Sequence, residues 1–233
     1  MGRRALVFGA TGAIGSAVMV ALAAADHEVC GTARSVSLTE APKMVAVDPF
    51  DAATGMQGLS AVGPLDAVVW AQGTNVNDSV LEFDLAAHLE VLQANCVFVA
   101  ATLAELLRMN LLRDGARLCV ISSIWQTVAR EGKFSYTVSK AALAGLVRSA
   151  AADLASRGML INAVLPSVTD TAMTRAMLSA EQIDHFASAT GFERLTSLDD
   201  VVSTVVFLCS EGNTGVTGQS IAVDLGYTTV RRV

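Results

Sequence analysis

Histidine is scarce in this chain of 233 residues, and cysteine is scattered. His27, His88 and His185 have no metal-ligand spacing to one another or to Cys30, Cys96, Cys119 and Cys209, and no C-x-x-C pair is present. Those gaps argue against a zinc enzyme and a Ser-His-Asp hydrolase, so no metal site is expected. The cysteines sit singly in apolar segments and read as buried thiols of a reducing, cytoplasmic compartment. Excess positive charge is lacking as well. A net charge of −6 argues against nucleic acid as a partner. No apolar run approaches the ~18 residues of a membrane span, so no membrane partner is expected. The apolar stretch after Arg3 and Arg4 breaks into glycines after Phe8 and reads as a first strand rather than a signal peptide. Repeats, low-complexity tracts and linkers are missing, which predicts one domain over residues 1–233.

What is present is apolar: hydrophobic residues make up 52% of the chain and charged ones 16%. That supports a sizeable core and leaves apolar surface for subunit contacts. Short apolar runs at 5–9, 28–32, 44–47, 66–70, 117–122, 160–165 and 220–223 read as strands. Helical patterns fall at 14–25, 52–59, 85–109, 135–156 and 198–209. Strands alternating with helices predict an α/β fold, a doubly wound parallel sheet of the Rossmann type covered on both faces.

Two patterns carry chemistry. Gly9-Ala10-Thr11-Gly12-Ala13-Ile14-Gly15 falls where the first strand meets the first helix. Glycines there permit a tight turn and let a pyrophosphate reach backbone N–H groups at a helix N-terminus. Tyr136-Thr137-Val138-Ser139-Lys140 places a phenol and an ammonium four residues apart, on one helix face, with Ser123 thirteen positions earlier. An ammonium ~4 Å from the phenol, at an effective dielectric of ~20, would favour phenolate by roughly 4 kcal/mol, or about three pKa units. On that argument Tyr136 is an acid/base poised by Lys140.

Together these residues resemble the short-chain dehydrogenase/reductase family, in its single-domain branch of about 250 residues, over nearly the whole chain. The resemblance implies that Tyr136 is the acid/base and that Lys140 lowers its pKa and binds the nicotinamide ribose. It implies that Ser123 holds the substrate oxygen and that Asn95 supports a water relay to the lysine. Asp48 would contact the adenine, while Thr169 and Thr171, after Pro166, would meet the carboxamide and phosphates. Gly218 and Asp224 match the closing strand region. Ser122 rivals Ser123, but a strand alternates its faces and the register to Tyr136 favours Ser123. Asp48 is open to a plainer role as a helix cap, and Asn95 to one as a helix-interior amide. Several positions depart from the family pattern. The glycine spacing is that of the larger branch, Trp70-Ala71-Gln72-Gly73 stands in place of an Asn-Asn-Ala-Gly turn, Ser167 replaces a glycine, and Leu225 replaces another.

The second strand ends Cys30-Gly31-Thr32-Ala33-Arg34-Ser35, without the carboxylate that NAD sites place about 20 residues after the glycine loop. Arg34 suits a 2′-phosphate, so NADP(H) is expected over NAD(H). The predicted activity is reversible reduction of a ketone to a secondary alcohol, of the 3-oxoacyl reductase type or another carbonyl reduction, with a small-molecule carbonyl or alcohol as substrate. A nucleotide-sugar epimerase or dehydratase is the enzymatic alternative, although only 93 positions follow Lys140. A non-catalytic dinucleotide sensor is the other. Residues 172–191 are expected to form a helical lid, with Met173, Met177, Leu178, Ile183 and Phe186 on its inner face and Trp125 lining the pocket. The Ala/Leu-rich faces of 85–109 and 135–156 suit isologous packing, and with the resemblance they predict a homo-oligomer, a tetramer or a dimer.

Overall fold

Seven strands form one parallel sheet in the order β3-β2-β1-β4-β5-β6-β7. They are β1 (Arg3–Phe8), β2 (His27–Ala33), β3 (Met44–Ala46), β4 (Leu65–Trp70), β5 (Leu112–Ile121), β6 (Leu160–Pro166) and β7 (Ser220–Val223). The computed structural model describes residues 2–34 and 43–230, with the side chain of Met173 excepted. Ser35 and the Met173 side chain therefore lie outside what is described. The helices are α1 (Ala13–Ala24), α2 (Leu85–Leu92), α3 (Phe98–Arg108), α4 (Phe134–Leu154), α5 (Ala172–Met177), α6 (Ala180–Ser188) and α7 (Leu198–Cys209).

The central strands are apolar along their buried stretches, because both faces are covered there. In β1, Leu6 and Phe8 join one core with α3 and α4, whereas Ala5 and Val7 join the other with α1 and α7. That alternation is the strand period of two. Chain order runs outward from β1 to β3 on one side and then returns to β4 on the other. The reversal opens a crevice at the carboxyl ends of β1 and β4, where ligands bind in doubly wound sheets. Phe8 and Trp70 are register partners at that edge, and their rings stack at 5.7 Å.

Several boundaries differ from the sequence reading. Residues 52–59 do not form an α-helix; turns lead into a 3-10 segment at Gln57–Ala61. A carbonyl explains part of this, since a Cβ on Gly58 would meet Ala46 O at 2.3 Å. β5 begins at Leu112, five residues early, and its register to β4 shifts between Leu65 and Ala67. The long helix is interrupted by a π-turn at Gln93–Val97. Contrary to the expectation from apolar runs, Leu85–Arg108 is long and apolar enough to cross a membrane by length and composition. Here it packs on the sheet, with Val99, Leu103 and Leu106 buried in the core. The lid region is two short helices, α5 and α6. Phe186 is buried and Leu178 and Ile183 pack on the core, but Met177 is 63% exposed and does not face inward. The cysteines are free; Cys119 on β5 and Cys209 on α7, far apart in sequence, share one buried core cluster.

Candidate active site

The glycine loop is built by close approach. Gly9 adopts φ 73°, and a Cβ there would lie 2.6 Å from the Gln72 nitrogen in the turn after β4. A Cβ on Gly15 would lie 2.1 Å from the Gly9 carbonyl oxygen, so only glycine lets α1 start this close to the loop. Gly12 is the N-cap of α1, with no side-chain cap and no acid in the first turn. The first N–H groups of α1 are left for an anion, and the dipole favours one there.

In front of this loop lies a cleft of about 490 Å³. Gly9, Thr11, Gly12, Arg34 and Asp48 all line it. Ile14 and Gly15 sit behind it, in the first turn of α1. Asp48 Oδ1 also accepts from Phe50 N at 3.0 Å, which makes a local turn rather than a helix cap. Phe50 lines the cleft with Phe98, the two rings edge to face at 6.3 Å, an apolar wall the sequence did not announce. A cleft of this size, a Cβ-intolerant glycine turn and an uncapped helix end fit a dinucleotide.

At the far end of the crevice, Ser123, Tyr136 and Lys140 come together. Ser123 follows β5 and faces the Tyr136 phenol closely enough to lower its pKa. Its Oγ accepts from Trp125 N at 3.3 Å. Ser122 Oγ is buried without a hydrogen-bond partner among the described residues. Tyr136 and Lys140 occupy one face of α4, with the Lys140 nitrogen 5.6 Å from the phenol ring centroid. Lys140 is buried, and its ammonium donates to Ile121 O at 3.1 Å.

The acidity expected from the Tyr-Lys spacing needs correction. Burial raises the Tyr136 phenol above its ordinary value, with Ser123 opposing it, and Lys140 contributes no resolved lowering. Burial also pushes Lys140 down to about 8. Desolvation disfavours the charged form of both partners and outweighs their mutual attraction. At a value of about 8 most of the lysine stays ammonium at neutral pH, but three units of acidification do not follow from these two residues alone.

Asn95 sits in the π-turn, fully buried. Its Oδ1 accepts from Thr74 N at 2.8 Å, and Nδ2 donates to Thr74 O at 3.0 Å and to Ser139 Oγ at 2.9 Å. These bonds clamp the chain after β4 onto α4. A second staple lies nearby and was missed in sequence. Buried Lys133 donates to Asn75 Oδ1 at 3.0 Å and to Asn77 Oδ1. Asp78 then accepts from Ser135 N at 3.0 Å, one residue before Tyr136. The only sequence signal was a lysine three positions before the tyrosine.

Thr169 and Thr171 are not among the residues that line the cleft of about 490 Å³. Thr169 Oγ1 donates to Ser167 O at 3.1 Å, and Thr171 Oγ1 caps α5 by accepting from Thr174 N at 3.1 Å. Ser167 is hydrogen-bonded to Thr196 Oγ1 at 2.6 Å. Trp70 points into the core, where its Nε1 donates to Thr102 Oγ1 at 2.8 Å. Asp224 organises the C-terminal turn by accepting from Gly226 N and Thr228 N, each at 2.9 Å. A separate hollow of about 480 Å³ lies against α6, lined by Trp125, Arg130, His185, Phe186 and Tyr227 among others.

A crevice at the strand-order reversal, a glycine cradle and a Ser-Tyr-Lys group define a dinucleotide-linked oxidoreductase. Residues 9–228 match the family model described as Enoyl-(Acyl carrier protein) reductase. The chain is 27% identical over 237 residues to the 3-oxoacyl-[acyl-carrier-protein] reductase FabG of Escherichia coli (strain K12), covering 97% of each. It is 33% identical over 169 residues to cis-4-hydroxycyclohexanecarboxylate dehydrogenase of Sinomonas cyclohexanicum, covering 72% of this chain and 68% of that one. Among solved structures, a short chain dehydrogenase family protein from Francisella tularensis subsp. tularensis SCHU S4 superposes with TM-score 0.88 at 25% identity, covering 98% of this chain and 99% of the other. The chain belongs to the short-chain dehydrogenase/reductase family. It is an NAD(P)-dependent oxidoreductase acting between CH–OH and C=O groups.

Proposed function

We propose that this protein is an NADP(H)-dependent carbonyl reductase that interconverts a ketone and a secondary alcohol, with Tyr136 as the acid/base. The observation that carries the reading is the placing of Tyr136 and buried Lys140 on one face of α4, the ammonium 5.6 Å from the phenol ring centroid, with Ser123 acting on the phenol, at the end of a crevice that begins at the glycine loop. A nicotinamide, when bound, supplies or accepts the hydride. Ser123 holds the carbonyl oxygen by donating a hydrogen bond, and Tyr136 delivers the proton that turns this oxygen into a hydroxyl. Lys140 holds a positive charge beside the phenol and offers donors to a ribose. Asn95 keeps the chain after β4 fixed against α4, so these groups stay in register. Arg34, exposed at the cleft lining, favours a cofactor bearing a 2′-phosphate.

The two relatives named above, one a reductase of 3-oxoacyl groups and one a dehydrogenase of a cyclic hydroxy acid, both act between an alcohol carbon and a carbonyl carbon. Their shared chemistry supports a small-molecule carbonyl or alcohol substrate here. Free thiols at all four cysteines favour a reducing, cytoplasmic setting. A panel of ketones, including acyl thioesters, steroids, sugars and quinones, assayed with NADPH and NADH tests the reading. Turnover of at least one ketone, lost by ~100-fold or more in Tyr136→Phe with dinucleotide affinity within about twofold, is the expected result. A Tyr136→Phe variant of near-normal activity would remove Tyr136 from the chemistry.

A further inference from the structure

Gln72 is the cleft residue whose hydrogen-bonding capacity is unmet. Its side chain lines the cleft, yet both Oε1 and Nε2 are shut away from solvent and have no hydrogen-bond partner among the described residues. Buried amides in folded proteins are almost always satisfied, because an unpaired buried donor or acceptor is costly. The backbone beside Gln72 is clamped from two directions. Gly9 presses on the Gln72 nitrogen, and a Cβ on Gly73 would lie 2.9 Å from Asn95 Oδ1. Thr74 is held through both its N–H and its C=O by Asn95. The turn therefore has little freedom to carry the amide to another partner.

The location narrows what would satisfy it. On one side lies the glycine cradle at Gly9; on the other, a Cβ on Gly73 would stand 3.7 Å from the Lys140 ammonium. Gln72 thus sits between the phosphate cradle and the Ser-Tyr-Lys group. A phosphate only accepts, so it would satisfy Nε2 and leave Oε1 unpaired. A hydroxyl also donates. We propose that Gln72 is a further cofactor-binding residue: with the backbone held, its side chain turns into the cleft it lines when the dinucleotide binds, Oε1 then accepting from a ribose hydroxyl and Nε2 donating to an adjacent oxygen. The inference rests on the dinucleotide reading of the cleft. It adds a side-chain contact where the family's Asn-Asn-Ala-Gly turn has an alanine.

Gln72→Met keeps the length of the side chain and removes its hydrogen bonds. NADPH and NADH are titrated into wild type and variant by nicotinamide fluorescence, and denaturation midpoints are taken without cofactor. Loss of two neutral hydrogen bonds predicts roughly 5- to 150-fold weaker binding. Both cofactors should weaken by the same factor, because the ribose hydroxyl is common to them. The midpoint of the free protein should hold or rise, since an unpaired buried amide is gone. Gln72→Ala should give the same binding result and decides the matter if the methionine variant folds poorly. Binding within twofold of wild type in the folded variant overturns the role of Gln72 and leaves the cofactor reading standing. A wild type that binds neither dinucleotide overturns the cofactor reading itself, a separate failure.

Discussion

Asn95 grips Thr74 at both of its peptide groups, accepting from the N–H at 2.8 Å and donating to the C=O at 3.0 Å, and reaches Ser139 on α4 with the same amide. The π-turn at Gln93–Val97 carries this contact. An extra residue in one helical turn re-aims a side chain, and such turns concentrate at functional sites. The family resemblance assigned Asn95 to a water relay, whereas its observed bonds tie the chain after β4 to the helix of Tyr136.

Asn95→Leu should therefore destabilise the protein. It strips partners from Thr74 and Ser139, at roughly 1–3 kcal/mol for each buried group left unpaired. Urea denaturation midpoints measure this directly. A residue that serves only a proton relay would lose turnover with its midpoint unchanged, and that result would remove the clamp as an explanation.

The depressed pKa of Lys140 predicts an alkaline rise in stability. The folded value is about 8, against 10.5 for the ordinary side chain. Between those values the unfolded chain binds a proton that the folded chain lacks, so stability increases with pH across that window. Below pH 8 the full penalty applies, on the order of 3 kcal/mol. Lys140→Met should thus be more stable than wild type at pH 7 by ~2 kcal/mol, after allowance for the donor lost by Ile121 O. That gap should shrink as pH rises towards 10. Denaturant midpoints at pH 7 and pH 9.5 test this, and a gap independent of pH would show that the lysine is not desolvated. A lysine kept at such a cost marks a stability–function trade-off.

The sheet was legible because strands buried on both faces must be apolar along their whole length, as Leu6, Val7, Val68 and Val69 are. The glycine loop and the Tyr136/Lys140 pair were legible because tight turns and helix faces impose local spacing. The acidity of Tyr136 was not, since it depends on desolvation that only the packed structure supplies. Neither was the π-turn, because a slipped backbone hydrogen bond leaves no mark in composition. Lys133 with Asn75 and Asn77, and Gln72 with its unpaired amide, depend on contacts across the fold that no local pattern encodes. Trp70 departs from the family turn, and its position explains why: it stacks on Phe8 and donates to Thr102 inside the core.

An exposed apolar face predicts self-association. Leu81 is 91% exposed and Leu85 60%, and Leu89, Phe83, Phe134 and Val138 extend the face across α2 and the start of α4. Phe83 and Phe134 meet edge to face at 6.0 Å, so the patch is continuous between the two elements. Patches of this kind mark interaction sites, and a two-fold axis through it would bury the same surface from both copies. We expect a homo-oligomer by light scattering at micromolar concentration, a dimer through this contact or a tetramer that adds a second two-fold interface. Leu85→Lys with Leu89→Lys should lower the assembly state. A monomeric wild type would refute the oligomer.

Cofactor choice turns on Arg34, which lines the cleft and has no carboxylate partner among the described residues. β2 ends one residue earlier, at Ala33, without the acid that would accept from a free 2′-hydroxyl and repel a 2′-phosphate. The charge is therefore available for a ligand phosphate. A hydrogen bond to a charged group contributes ~1.5–3 kcal/mol, so loss of the guanidinium alone predicts roughly a 10- to 150-fold drop in NADPH affinity. Arg34→Asp should go further, because the new carboxylate repels the 2′-phosphate. The same carboxylate offers an acceptor to the 2′-hydroxyl of NADH, so NADH should hold or improve. Titration of both cofactors into wild type and variant reads the ratio directly, and its reversal in the variant is the expected outcome. A wild type that binds NADH as tightly as NADPH, with a ratio untouched by the substitution, would make Arg34 a solvated surface residue and the preference for NADP(H) wrong.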